Sequence, residues 1–350
     1  MTSLSIRVGI VGLGRIGKLR RQLIDDDPRC QLVGMCDIVP VDRDSKFAGL
    51  VTNNYRELLA EELDAVFVCT PNVVTPEVIV DALSSGCHVF SEKPPGRCVQ
   101  DIERIRVAEA AQPCLKLKFG FNHRYHQSVR EALDIVQSGQ MGRLLWMRGV
   151  YGKSGGMGFE QGWRSQCDLA GGGILLDQGI HLLDLFRLFA GEFTEVKSFV
   201  DTVYWPIEVE DNAFALLRSE AGLVAMIHSS STHWKHTFQL EMFMSEGYLA
   251  IRGLLTNSRS YGREALVIGR RQFEGETHAV GNPREEVVYF DQDVSWQHEI
   301  DEFFQAIAED RSIEVGTSWD AVQVMRLIER IYHNDEQWAR DLLPMERGTL

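Results

Sequence analysis

No apolar run in this chain is long enough to span a membrane, so no membrane-spanning helix and no membrane partner are expected. Met1 to Ile6 has no basic stretch followed by an apolar core and runs directly into a strand pattern. A secretion signal is therefore not expected. Paired cysteines are missing too. The seven cysteines, Cys30, Cys36, Cys69, Cys87, Cys98, Cys114 and Cys167, are scattered, with no Cys-x-x-Cys among them. An odd, unclustered set reads as reduced thiols of a cytoplasmic protein and offers no zinc framework. No other metal-ligand spacing is visible, so no metal is expected. Positive charge is in deficit. A net charge of -14 repels phosphate backbones and argues against nucleic acid as a partner. Repeats, low-complexity stretches and flexible linkers are absent from the 350 residues, a length that calls for two domains.

What is there begins with alternation. Ile6 to Val11, Gln31 to Cys36, Ala65 to Thr70, His88 to Phe90 and Leu115 to Phe121 read as strands. Arg15 to Asp26, Thr75 to Ser85 and Asp101 to Ala110 read as helices. Strands alternating with helices imply right-handed βαβ units and a parallel sheet. After about Asn122 the rhythm changes. A helix from Ser128 to Gln137 gives way to strand-like runs at Leu144 to Val150, Val196 to Thr202, Ala213 to Leu217, Val224 to His228, Phe238 to Met244 and Tyr248 to Ile251. These are joined by short turns, as in an antiparallel sheet. Gly173 to Phe189, Trp296 to Glu309 and Trp319 to Asn334 read as helices. The expected division is an α/β domain with a parallel sheet over residues 1–122 and an α+β domain over 123–350.

Gly12-Leu13-Gly14-Arg15-Ile16-Gly17 is a Gly-x-Gly-x-x-Gly motif that follows a strand and opens a helix, the context its mechanism needs. Gly12 permits the tight turn, Gly14 lets a pyrophosphate approach the backbone, and Gly17 allows close helix–strand packing. The helix start, with Arg15 and Ile16, presents free N–H groups and a positive dipole end. Asp37 lies twenty residues after Gly17, at the end of the second strand. A carboxylate there accepts hydrogen bonds from ribose hydroxyls and repels a 2′-phosphate, and no Arg stands at Ile38 or Val39. NAD is therefore favoured over NADP. Thr70, Pro71 and Asn72 end another strand at its carboxyl end and are candidate cofactor contacts; a strand-capping turn explains them nearly as well. Glu92 and Lys93 follow the strand His88 to Phe90, again at a carboxyl end, with Lys93 a candidate for both cofactor and substrate.

A second constellation is Gly171-Gly172-Gly173-Ile174-Leu175-Leu176-Asp177-Gln178-Gly179-Ile180-His181-Leu182-Leu183-Asp184. Asp177 and His181 are four apart and would share one helix face. Two polar residues on a mostly apolar helix are costly unless paired or used. A buried Asp–His pair that only fixes the helix is the structural alternative. Asp184 reads either as a partner of His181 or as a packing group.

With these blocks in hand, the chain resembles the glucose–fructose oxidoreductase/inositol dehydrogenase/rhizopine-catabolism family, Gfo/Idh/MocA. The resemblance rests on the glycine motif, Glu92-Lys93-Pro94, the Gly-Phe-Asn-x-Arg-Tyr run at Gly120 to Tyr125, and the Gly-Gly-Gly-x-Leu-x-Asp-x-Gly-x-His-x-x-Asp block. It spans residues 6 to about 200 and weakens beyond. It implies a Rossmann domain joined to a domain with a large open, mainly antiparallel sheet, and a catalytic set carried here by Lys93, Asp177 and His181. It also implies a cis bond before Pro94.

The chemistry so implied is oxidation of a secondary alcohol or reduction of a ketone on a sugar, inositol or sugar derivative. His181 is the expected general base, Lys93 the donor to a developing alkoxide, and Asp177 a group that binds a neighbouring hydroxyl or orients the other two. Asn122, Arg124, Tyr125, Trp163 and Arg164 are candidate substrate contacts. His233, Trp234, Lys235 and His236 form a second polar–aromatic cluster that suits a pocket or a subunit contact. Alternatives are a reductase of keto-sugar nucleotides in polysaccharide assembly, an NAD-using glycosidase, and a non-catalytic NAD-bound sensor. An open sheet face needs a cover, so a homodimer or homotetramer is expected.

Overall fold

The computed structural model describes residues 5–40, 47–274 and 278–340. The chain forms two compact units, Met1–Phe121 with Asp168–Gly171 and Gln297–Gln323, and Asn122–Cys167 with Gly172–Trp296 and Val324–Leu350. Among the described residues no helix is long and apolar enough to cross a membrane.

The first unit opens with β1 (Ile6–Val11), α1 (Arg15–Asp25), β2 (Cys30–Cys36), β3 (Leu50–Thr52), α2 (Tyr55–Leu59) and β4 (Ala65–Val68). It continues with α3 (Thr75–Ser84), β5 (His88–Ser91), α4 (Val99–Ala110) and β6 (Leu117–Phe119). The six strands form one parallel sheet in the order β3-β2-β1-β4-β5-β6, the Rossmann order in which the winding reverses between β1 and β4. All four residues of β4 are buried, as befits a strand covered on both faces.

The second unit holds α5 (Gln127–Gln137) and β7 (Leu144–Gly152). After α6 (Cys167–Ala170) come α7 (Ile180–Ala190), β8 (Phe193–Asp201), β9 (Asn212–Ser219), β10 (Val224–Ser230), β11 (Thr237–Met244) and β12 (Gly247–Arg252). The strands β13 (Glu264–Arg270), β14 (Phe273–Glu274), β15 (His278–Ala279) and β16 (Glu285–Phe290) precede α8 (Ser295–Ala308) and α9 (Ser318–Asn334). Eight of these strands form a sheet ordered β16-β13-β12-β11-β7-β10-β9-β8, antiparallel throughout except for the β7–β10 pair.

Two features depart from the sequence-based expectation. The sequence placed one change of domain at residue 122, yet Gln297–Gln323 also belongs to the first unit. The reason is packing. Ile300, Phe303 and Phe304 of α8 share a core with Ile10, Phe67 and Phe90, and the Phe303 ring stands edge-on to both stacked phenylalanines. The helix expected over Gly173 to Phe189 is also not uniform. Leu175–Gly179 is a π turn, and regular α-helix begins only at Ile180. The wide turn packs closely. A Cβ on Gly179 would sit 2.8 Å from Leu175 Cδ1 and 3.0 Å from Ser229 Oγ of β10.

Candidate active site

In the first unit the glycine motif has the form its chemistry requires. Gly12 adopts a φ of +92°, and a Cβ there would lie 2.4 Å from the Cys69 carbonyl oxygen. A Cβ on Gly17 would sit 1.9 Å from the Gly12 carbonyl oxygen, so only glycine lets α1 approach the turn. A Cβ on Gly14 would meet nothing within 4 Å. Gly14 is the N-cap of α1, and the helix start has no side-chain cap, with Arg15 exposed and Ile16 half-buried. Open space over an uncapped helix N-terminus fits a pyrophosphate.

Asp37 Oδ2 accepts from the Leu13 N–H at 2.5 Å, and Oδ1 accepts from the Val39 N–H at 2.9 Å. The carboxylate thus braces the glycine loop from the end of β2. A depression beside it is lined by Ile38, Val39, Pro40, Val51, Thr52 and Asn53, and among the described residues no arginine or lysine lines it. These features fit a nucleoside at this edge.

The other cofactor candidates divide. The Thr75 hydroxyl donates to the Thr70 and Pro71 carbonyl oxygens, so Thr70 and Pro71 belong to the turn that leads from β4 into α3. Asn72 is buried, and its amide donates to the Ala170 carbonyl at 2.7 Å. Glu92 accepts from Arg20 Nε at 2.7 Å, and the same guanidinium donates to Glu299 at 2.6 Å and lies 4.4 Å over the Phe90 ring. Arg20 is fully buried, yet sequence reasoning passed over it. The signal was present, because Gly17, Arg20 and Ile24 recur on the buried stripe of α1. Lys93 is half-buried, and the Lys93–Pro94 bond is cis.

In the second unit the structure brings Asp177, Trp163 and Arg164 together. Arg164 Nε donates to Asp177 Oδ1 at 3.3 Å, and its guanidinium stacks 4.3 Å over the Trp163 ring. Gln178 Nε2 donates to Asp177 Oδ2 at 2.8 Å, and Lys153 Nζ stands 3.9 Å away. His181 is buried at the start of α7 and stacks on His123, with ring centroids 3.6 Å apart and planes 16° from parallel. His123 occupies the variable position of the Gly-Phe-Asn-x-Arg-Tyr run, so the motif assigns it no role. Tyr151 of β7 places its hydroxyl 3.2 Å from His123 Nε2. Burial, then Tyr261 and Asp177, hold the Tyr151 phenol well above its ordinary range.

The remaining substrate candidates are occupied within the fold. Arg124 donates to Asp184 with both Nε and Nη2, at 2.7 and 2.5 Å, so Asp184 is partner to Arg124. Tyr125 is buried beneath Arg130. Asn122 is buried between Ser295 and His123. In the later cluster, His236 stacks on Tyr261, which stands edge-on to Tyr151, while Trp234 is exposed. Burial and then Lys153 lower the His236 pKa. Glu210, also unforeseen, is buried and accepts from Gly173 N, Leu175 N and the Tyr332 hydroxyl, clamping the glycine turn ahead of Asp177. Among the described residues no group of His, Cys, Asp and Glu is arranged to hold a metal.

Residues 6–120 match the family model described as oxidoreductase family, NAD-binding Rossmann fold, and residues 129–250 match the GFO/IDH/MocA C-terminal domain. Levoglucosan dehydrogenase of Pseudarthrobacter phenanthrenivorans is 24% identical over 329 residues, covering 82% of this chain and 83% of that protein. Myo-inositol 2-dehydrogenase of Thermotoga maritima is 27% identical over 262 residues, covering 69% and 74%. The structure of levoglucosan dehydrogenase in complex with NADH and L-sorbose shares the fold with a TM-score of 0.82 at 20% identity, over 95% of this chain and 97% of that one. This chain belongs to the GFO/IDH/MocA oxidoreductase family, and its N-terminal domain is an NAD-binding Rossmann fold.

Proposed function

We propose that the protein is an NAD-dependent dehydrogenase that interconverts a secondary alcohol and a ketone on a sugar, inositol or related polyol. The observation that carries this reading is the polar cluster around Asp177, with Arg164, Lys153 and Gln178 within 4 Å, four residues ahead of the buried imidazole of His181. Such donors and acceptors, beside the half-buried Trp163 ring, suit vicinal hydroxyls and a pyranose face. Relatives named for levoglucosan and myo-inositol support the same class.

Bound NAD would supply the hydride acceptor. Gly12, Gly14 and Gly17, with the N–H groups of Arg15 and Ile16, would hold the pyrophosphate, and Asp37 the ribose. His181 takes the hydroxyl proton as the carbinol carbon loses hydride, and returns it in the reducing direction. Lys93 donates a hydrogen bond to the developing alkoxide. Asp177 accepts from a neighbouring hydroxyl and keeps Arg164 and Lys153 in place. We also propose that a second copy of the chain covers the outer face of the eight-stranded sheet, giving a homodimer or homotetramer.

The test is a dehydrogenase screen over inositols, aldoses, anhydrosugars and nucleotide sugars, followed by Lys93→Ala and His181→Ala on the best substrate. Each variant should bind NAD nearly as wild type in a fluorescence titration and lose roughly 10²–10⁴-fold in kcat. Near wild-type turnover in either variant would remove that residue from the chemistry.

A further inference from the structure

The polar groups beneath the stacked imidazoles form a chain whose direction is fixed at one end. The Ser295 hydroxyl lies 2.6 Å from Asp293 Oδ1. A carboxylate only accepts, so the single proton of Ser295 points to Asp293. Ser295 Oγ can then only accept from Asn122, 3.3 Å away, which assigns that side of the amide as Nδ2. Asn122 Oδ1 therefore faces His123 Nδ1 at 3.0 Å, and a carbonyl oxygen only accepts. Nδ1 of His123 must carry a proton. In the neutral ring Nε2 is then an acceptor, and it faces the Tyr151 hydroxyl at 3.2 Å.

We propose that His123 is a positioning residue for His181. The chain from Asp293 through Ser295 and Asn122 locks a proton on Nδ1, and the ring, held neutral with Nε2 accepting from Tyr151, is the flat support on which His181 lies. The support is packed by several neighbours. His126 and Phe238 pack their rings against His123 at 5.4 and 5.8 Å, Tyr151 holds its far nitrogen, and His181 covers its face at 3.6 Å. The lock has a chemical consequence that rests on the function proposed above. When His181 takes a substrate proton, it does so against a neutral aromatic face, which favours an adjacent cation. A second imidazolium there would repel it.

Nitrogen-15 NMR of the resting protein, uniformly labelled at histidine, reads the lock without substrate or turnover. The His123 signals are identified by their loss in His123→Gln. Wild type at neutral pH should show His123 Nδ1 as the protonated, pyrrole-like nitrogen and Nε2 as the pyridine-like one. A ring protonated on Nε2, or on both nitrogens, overturns the proposal. Ser295→Ala removes the directing hydroxyl and should split His123 into two tautomers; a single unchanged tautomer overturns the chain. On a turned-over substrate, His123→Phe should lower kcat by up to about 10²-fold with KM near wild type, the scale of a misplaced catalytic group. Unchanged kcat overturns the positioning role. Should no substrate be found, the dehydrogenase reading falls, and the tautomer measurement still decides the lock.

Discussion

The carboxylate of Asp37 has both oxygens engaged by the backbone, one with Leu13 N and one with Val39 N. Any ribose hydroxyl would share an acceptor that already holds the glycine loop. Replacing Asp37 by Ser therefore acts twice, on selectivity and on loop order. Asp37→Ser with Ile38→Arg should narrow or reverse a preference for NAD over NADP in kcat/KM, and should also weaken NADH binding relative to wild type. A wild-type enzyme that clearly prefers NADPH would refute the reading of Asp37. At this scale the sequence was legible where the backbone sets the requirement. Gly12 and Gly17 stand out because a side chain at either would collide with a main-chain oxygen. It was illegible where a distant partner decides. Nothing near Arg124 announces Asp184, and nothing near Asn72 announces the Ala170 carbonyl.

At the scale of elements, the turn from Gly173 into α7 depends on Glu210. Burial raises the pKa of this carboxyl from 4.5 to about 7, against hydrogen bonds from Gly173, Tyr332 and Leu175 that lower it. In the first unit, burial likewise raises Glu299 to about 7, with Arg20 opposing and Glu92 assisting. A carboxyl whose folded pKa exceeds its unfolded value binds its proton more tightly in the native state. Its stabilising contribution is complete below the unfolded pKa and is lost as pH rises through the folded one. The melting temperature should therefore carry a falling component between about pH 4.5 and 7. Glu210→Gln keeps an acceptor oxygen but cannot ionise, so thermal melts of this variant should show a shallower fall over that window. An identical slope would exclude Glu210 as a contributor. The period of the sequence announced α7 but not the π turn, because apolar spacing does not record which backbone bond closes each turn. The strands β13 and β16 also went unread: β13 is nearly continuous in buried residues and lacks alternation.

At the scale of the whole molecule, the parallel sheet was readable from its alternating rhythm, while its cover was not. Ile300, Phe303 and Phe304 read as one stripe of an amphipathic helix, and a stripe does not name the surface it meets. The larger sheet poses the opposite problem, a face whose inhabitants are plain and whose cover is unstated. Along β8, β9 and β10 the inward residues alternate with Phe199, Phe214, Leu216 and Met226, which are exposed where polar residues are usual. Phe199 alone is 78% exposed.

If a second copy buries that face, stability becomes a function of how much protein is in the tube. By mass action a native state that associates gains on the unfolded chain with every increase in concentration. The melting temperature should rise across a hundredfold dilution series read from dilute to concentrated. Phe199→Asp should flatten that dependence and leave a smaller species in sedimentation velocity. A wild-type midpoint that ignores concentration would mean that the apolar rows of this sheet face water.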